Sequence, residues 1–448
     1  MGRKYCKTAS RSLICLVLSV FVAGFAPATA HAAGTYTHSS HAKTTGHRPG
    51  TSASTSATKS RAASHTRTVA SHTRTVASHT RAISSSRSRA TVVHTGTVSR
   101  GRGRLTRAVL TVRRGRRRSY ERFTGVSFLP DPTVGDVTAG EDPVVRAAAI
   151  QALGNMNGTA VAIDPSTGRI LAMVNQRLAL SSGAEPCSTI KLAVSLAALD
   201  EGLITKDTPV NLGGHYTMNL TTALAKSINP YFETLGRQLG FERVKHYANQ
   251  FGLGELAGYN IPGEQLGIYP DQPLPESAGG VGRMCSFGES ISMTPLQLGA
   301  LVSAMANGGT LYYLQHPQTQ EDVADFHPMI KRTLDIAPLV PEMRDGMEGA
   351  VNYGTARSLH AEFHEFPVMG KTGTCSNDGT RFGWFASYAN TPSGQIVTVI
   401  FIEGGRPSFG PKAAELTGNF YKALWNANYF DAKTPQVASN SFSVSRAN

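Results

Sequence analysis

Residues 186–194 read PCSTIKLAV, and they stand where a loop rich in Ser, Gly and Pro passes into an apolar run that continues as SLAALDEGL. Two readings of Ser188 compete. Serine is a preferred first residue of a helix, where its hydroxyl accepts a hydrogen bond from an unpaired backbone N–H. Residues three apart on a helix also share a face, so Lys191 would lie one turn behind the Ser188 hydroxyl as a partner for a nucleophile. The tetrapeptide STIK by itself favours the cap, and the choice falls to the rest of the chain.

The apolar run after Ser188 is long enough for a mostly buried helix. Before it, GTAVAIDP and GRILAMVN flank an STG turn and predict a β-hairpin opening a globular domain. Helical or mixed sequence follows to about residue 360, with loops around YNIPGEQLGIYPDQPLPESAGG. FPVMGKTGTCS, RFGWFASYA and QIVTVIFIEG then read as three strands, and AAELTGNFYKALW as a closing helix. A hairpin, a helical centre and three further strands imply an α+β fold, a mainly antiparallel sheet flanked by helices.

The 448 residues are ample for a sizeable core, and their charge is unevenly placed. The first 120 residues hold 22 Lys and Arg and no Asp or Glu, whereas residues 121–448 hold 22 basic against 30 acidic side chains. The basic balance therefore belongs to an N-terminal arm and not to the globular part. Residues 1–33 begin with MGRKYCKTASR, continue with the 15 apolar residues SLICLVLSVFVAGFA, and end in PATAHAAG. That is the layout of a secretory signal, with A-x-A spacing at Ala28 to Ala30 or Ala30 to Ala32. Cleavage is preferred to an uncleaved membrane anchor, because a spanning helix wants about 20 apolar residues. Either outcome exports the chain to the periplasm or cell envelope. Cys15 lies inside the apolar run without the small residues that precede a lipidated Cys.

Residues 34–120 are dominated by Ser, Thr, Ala, His, Gly and Arg and lack the apolar surface to offset ordering entropy, so a disordered basic arm is expected. Within it ASHTRTV, ASHTRTV and ASHTRAI repeat from Ala63 to Ile83, with one aliphatic position per heptad and hence no coiled-coil seam. His65, His72 and His79 recur in register, and a solvated spacer is favoured over a metal site. The run RRGRRR at 113–118 would attract polyanions. Given export, the expected partners are anionic wall polymers or a membrane surface and not nucleic acid. Residues 121–141 read as a linker, 142–430 as the catalytic domain and 431–448 as a flexible tail.

Three short motifs occur in order: STIK at 188–191, SIN at 227–229 and KTGT at 371–374. Each alone has a bland explanation, a helix-end cap for Ser227 and a solvated edge-strand charge for Lys371. Their order behind an export signal is the specific observation. In these motifs the chain resembles the transpeptidase domain of penicillin-binding proteins, within the wider group that includes serine β-lactamases. The likeness extends over about residues 140–430 through AVAIDPSTGRILAMV, FGESISMTPLQLGALVSAMANGG, AVNYGTAR and the pair Trp384–Phe385, for which a core role is expected.

The resemblance implies Ser188 as nucleophile, Lys191 as its base, Ser227 as a proton relay and Asn229 as a hydrogen-bonding group for Lys191 and the substrate amide. It places Lys371 and Thr372 on the strand lining the cleft, with Lys371 tuning Ser227 and attracting a substrate carboxylate that Thr374 helps to bind. The backbone N–H groups of Ser188 and Thr374 would form the oxyanion hole, and Gly373 would let a peptide backbone approach the strand. A lysine base requires a pKa far below about 10.4, which burial beside a second ammonium would supply. No cofactor or metal is expected.

The implied activity is peptidoglycan D,D-transpeptidation of stem peptides through a Ser188 acyl-enzyme, with β-lactams as inhibitors. A D,D-carboxypeptidase, a serine β-lactamase and a non-catalytic penicillin-sensing or wall-binding protein are the alternatives. The absence of any acid before Glu121 leads us to expect glycan polymerisation from a separate glycosyltransferase. The chain departs from the family's habit at several points. Ser188 and Ser227 are only 39 residues apart, Cys187 stands where Gly is frequent, FGES replaces a Gly-Gln-Gly pattern, and Cys375 follows KTGT. The resemblance implies that the two segments carrying Cys187 and Cys375 come together in the fold. A disulfide requires their Cα atoms within about 7 Å, and simple packing of Cys187 behind Ser188 is preferred.

Overall fold

The computed structural model describes residues 122–431; the signal or anchor, the basic arm and most of the C-terminal tail lie outside the described residues. In chain order, helix α1 (Pro143–Leu153) precedes the hairpin β1 (Gly158–Asp164) and β2 (Arg169–Val174). A 3₁₀ turn (Cys187–Ile190) leads into α2 (Lys191–Asp200). It is followed by α3 (Leu220–Lys226), α4 (Asn229–Leu239), α5 (Gly280–Phe287), α6 (Pro295–Ala306) and α7 (Val340–Asn352). Strands β3 (Val368–Asn377), β4 (Thr380–Thr391) and β5 (Gly394–Gly404) and helix α8 (Gly410–Asn426) complete these elements.

The strands form one antiparallel sheet in the order β2-β1-β5-β4-β3. The N-terminal hairpin thus joins the C-terminal meander through the β1–β5 pair, and β3 is left at an edge. This is the α+β architecture expected from the sequence. Alternation along the strands divides the core in two. Val161, Trp384, Ala386, Val399 and Phe401 face one cluster, which includes α2 and α6, while Ala160, Phe385, Ile400 and Ile402 face the other, with α1 and α8.

Local chemistry explains the helices that matter most. Asp142 caps α1 by accepting from the N–H groups of Val144 and Val145, with Pro143 in the first turn where its missing N–H costs nothing. Thr294 and Gln297 close a capping box on α6. Residues 191–199 of α2 are buried all round, so the helix is a core rod and Lys191 has no solvent-facing side to retreat to. Residues 124–129, within the stretch read as a linker, run along the domain. Thr124 N–H donates to Gly379 O at 2.8 Å, and Ser127 O accepts from Asn157 N–H at 2.8 Å. Among the described residues no helix is long and apolar enough to cross a membrane.

Candidate active site

The turn carrying Ser188 differs from a simple helix start. Pro186 precedes the 3₁₀ turn, Ile190 precedes α2, and neither end is closed by a side-chain cap. Ser188 sits inside the turn, half-buried, so the cap reading of its hydroxyl does not hold. Cys187 adopts φ = 51°, in the left-handed region that a side chain populates only under constraint.

Three contacts hold this turn against the sheet. The Trp384 indole N–H donates to Glu185 O at 3.0 Å. Trp384 is itself fully buried and stacked on Phe401 at 4.0 Å, in keeping with its expected core role. A Cβ on Gly373 would come within 2.8 Å of Pro186 O, so only glycine lets β3 lie this close. Finally, Cys187 and Cys375 form a disulfide with Cα atoms 5.5 Å apart, against the preference for simple packing. The reason is register: Cys375 pairs with Phe382 on the face that carries Trp384, and so meets the turn directly. Cys285 remains a free buried thiol, pushed up to about 12 by desolvation.

Behind the turn lies a buried polar centre. Lys191 Nζ donates to Ser227 O at 3.0 Å, Ser227 Oγ at 3.1 Å and Asn229 Oδ1 at 2.6 Å, and lies 5.1 Å from the centre of the Phe232 ring. Lys371 Nζ donates to the same Ser227 Oγ at 2.8 Å and to Thr372 O at 2.9 Å. The Ser227 hydroxyl therefore bridges two lysines, both with no exposed surface. Burial, and then the nearby Lys371 charge, lower the Lys191 ammonium to about 6, with Glu233 opposing; burial lowers Lys371 to about 7.

Backbone geometry aims these groups. Ser227 ends α3 in the left-handed conformation (φ 54°, ψ 47°), with its N–H bonded to Leu224 O at 3.2 Å. That break turns the chain so that Asn229, the first residue of α4, faces Lys191. A non-glycine residue in this region costs about 1–3 kcal/mol and persists only where its surroundings over-determine it.

The structure thus joins Lys191, Ser227, Asn229 and Lys371 in one hydrogen-bonded cluster, and the Ser188 hydroxyl is not among Lys191's three acceptors. Thr372 is buried on the opposite face of β3, where its hydroxyl meets Thr355 Oγ1 at 2.6 Å. Thr374 is exposed at the edge strand, and its Oγ1 accepts from Gly410 N–H at 2.8 Å. Two neighbours escaped the sequence reading. Thr355 lies in AVNYGTAR, which was read only as scaffold. Glu185, half-buried three residues before Ser188, is raised to about 7 by desolvation and then by Glu289, with Arg283 opposing.

An antiparallel α+β domain with two buried lysines sharing one serine hydroxyl defines a narrow class. Residues 158–422 match the family described as penicillin binding protein transpeptidase domain, and the chain belongs to that family. Stage V sporulation protein D of Bacillus subtilis is 29% identical over 321 residues, covering 59% of this chain and 48% of that protein. Peptidoglycan D,D-transpeptidase MrdA of Acinetobacter baumannii is 25% identical over 64% of this chain and 53% of its own length. The chain spans about half the length of these curated relatives. Among solved structures, Pseudomonas aeruginosa PBP2 in complex with WCK 5153 matches with a TM-score of 0.55 at 24% identity, over 66% of this chain and 77% of that one. The transpeptidase domain of Burkholderia pseudomallei penicillin-binding protein 3 matches at 0.56 and 21% identity, over 66% and 98%. These two likenesses establish the fold.

Proposed function

We propose that this chain is an exported serine acyltransferase of the cell envelope, a peptidoglycan D,D-transpeptidase that cross-links stem peptides. The observation that carries the reading is the Lys191–Ser227–Lys371 bridge directly behind the Ser188 turn. A lysine lowered to about 6 is largely the free amine at neutral pH, the form a general base requires. With the protonated amine, the three hydrogen bonds go to the 227–229 turn. Loss of one proton leaves a lone pair for the Ser188 hydroxyl one turn away on the same helix face.

Ser188 Oγ then attacks the carbonyl of the penultimate D-Ala, and Lys191 takes its proton. The oxyanion is met by the N–H groups of Ser188 and Thr374. Ser227 passes a proton to the leaving D-Ala amine, drawing on the lysines on either side of it, and Asn229 orients Lys191 and the substrate amide. The acyl group on Ser188 passes to an amine of a second strand; transfer to water would be the carboxypeptidase outcome. Lys371 and Thr374 receive the terminal carboxylate, and Gly373 admits the donor peptide along the β3 edge. Names among the relatives support the substrate class, and membership of a family described as penicillin binding supports β-lactams as inhibitors. The basic arm, joined by the N-terminal segment where that is left uncleaved as an anchor, would hold the domain at the envelope, where a separate glycosyltransferase supplies glycan.

Incubating the purified chain with a fluorescent penicillin tests the reading. A stable covalent label that Ser188→Ala abolishes is expected; equal labelling of the variant would sink it. Continuous turnover of nitrocefin, in place of a single slow acylation, would instead favour a β-lactamase.

A further inference from the structure

The disulfide joins residues 188 positions apart, one immediately before the nucleophile and the other immediately after KTGT. Ser188 and Thr374, the two residues whose N–H groups the proposed function assigns to the oxyanion hole, are each adjacent to one half of this bridge. We infer that the Cys187–Cys375 disulfide is a positioning clamp for acyl transfer, fixing the gap between the nucleophile turn and the edge strand so that both N–H groups converge on one oxyanion.

Few other contacts could do this. The turn approaches β3 through Gly373, which has no side chain to interlock, and a polar tie to the sheet at this point is the Trp384 indole N–H donating to the Glu185 carbonyl. Cys187 holds a left-handed φ of 51° at the first residue of the turn, a conformation that a non-glycine residue keeps only under constraint. The disulfide joins the two segments at a Cα separation of 5.5 Å, whereas the lysine cluster is held by its own hydrogen bonds among α2, α3, α4 and Lys371, four residues back along β3 from Cys375. Opening the clamp should therefore impair charge stabilisation and leave proton handling in place. Cys375 is half-buried and Cys187 fully buried, so complete reduction is verified by counting free thiols before the rate is read.

The inference rests on the acyl-transfer reading, and one experiment separates the two. Acylation of the full chain by a fluorescent penicillin is followed over a concentration series, giving a maximal rate constant and a half-saturating concentration. The series is run on oxidised protein, on protein reduced with a dithiol, and after reoxidation. Reduction breaks the S–S bond, each sulfur taking one electron and one proton while the dithiol closes to its own disulfide. The maximal rate constant is expected to fall at least about 10-fold and at most by the about 10²–10³-fold that loss of a whole oxyanion donor costs. Half-saturation should stay within twofold, the limbs of the pH profile should not move, and reoxidation should restore the rate. The pair Cys187→Gly and Cys375→Ala, in which glycine takes the left-handed conformation without strain, should match the reduced protein while remaining folded. An unchanged or faster rate in the reduced protein or in this pair overturns the clamp. An oxidised protein that does not acylate at all removes the acyl-transfer reading itself.

Discussion

Two charged clusters are buried in this domain, and they are built on opposite rules. On the flank of the hairpin, Arg146 donates to Asp136 Oδ2 and Glu141 Oε2, both at 2.8 Å, and Glu141 also meets His316 Nε2 at 2.9 Å. Backbone N–H groups of Asn175 and Gln176 donate to Asp136, and that of Met173 to Glu141. Burial alone would lower the Arg146 guanidinium, but the hydrogen bonds it donates to two carboxylates, with their charges, outweigh this and raise it. At the cleft, two lysines of like charge share a serine, and both are pushed down. Opposite charges in a dry place make a permanent ion cluster that fastens residues 136–146 to β2; burial, joined at Lys191 by the nearby Lys371 charge, brings the two lysines down toward neutrality. The first cluster is architecture, and the second carries the chemistry of the proposed function.

Substitutions can break that contrast from either side. The largest effect is expected from Lys191→Met, which should slow penicillin acylation by about 10³-fold or more, within the range that loss of a general base costs. The same variant reports on stability. The Lys191 pKa is about 6 in the folded chain and about 10.4 when unfolded, so the unfolded state binds more protons between these values and wild-type stability rises with pH across that window. The melting temperature of Lys191→Met relative to wild type should therefore fall steadily from pH 7 to pH 10. A constant offset would show that the lysine is not depressed.

Next in size, Arg146→Met should destabilise the fold by about 3 kcal/mol in urea unfolding, because it strands two buried carboxylates. It should leave the pH dependence of acylation untouched, and a shifted pH profile would break the division between the clusters. The smallest and sharpest effect is a displacement. Lys371→Gln removes the charge that helps depress Lys191, so the acid limb of the remaining activity should move upward from about 6 in stopped-flow profiles. A limb that stays in place would mean that burial alone sets the Lys191 pKa.

The legibility of these features followed their range along the chain. The hairpin, the last three strands and the buried α2 were readable because alternation and apolar runs are local signals. Their assembly as β2-β1-β5-β4-β3 was not legible, and only the edge position of KTGT was expected, through the motif resemblance. The hydrogen-bonding of Lys191, Ser227, Asn229 and Lys371 was foreseeable only through the motif resemblance, because residues 36 to 180 positions apart carry no spacing rule. The Cys187–Cys375 bond turned on a register that no sequence prints. Thr355 looked like any threonine beside a glycine, and its bond to Thr372 arises because β3 shows alternate side chains to opposite faces. The role of residues 124–129 was hidden because they hold on through backbone groups, which every residue possesses.

Ser227 occupies the position at the end of a helix where glycine is the natural residue, since its left-handed conformation penalises any Cβ. Selection for stability alone would have removed the side chain. A Ser227→Gly chain is expected to melt higher than wild type and to acylate far more slowly, gaining order where it loses purpose. The hydroxyl between the two lysines is thus kept against the preference of its own backbone, and natural drift at this site should run downhill toward a sturdier, silent protein.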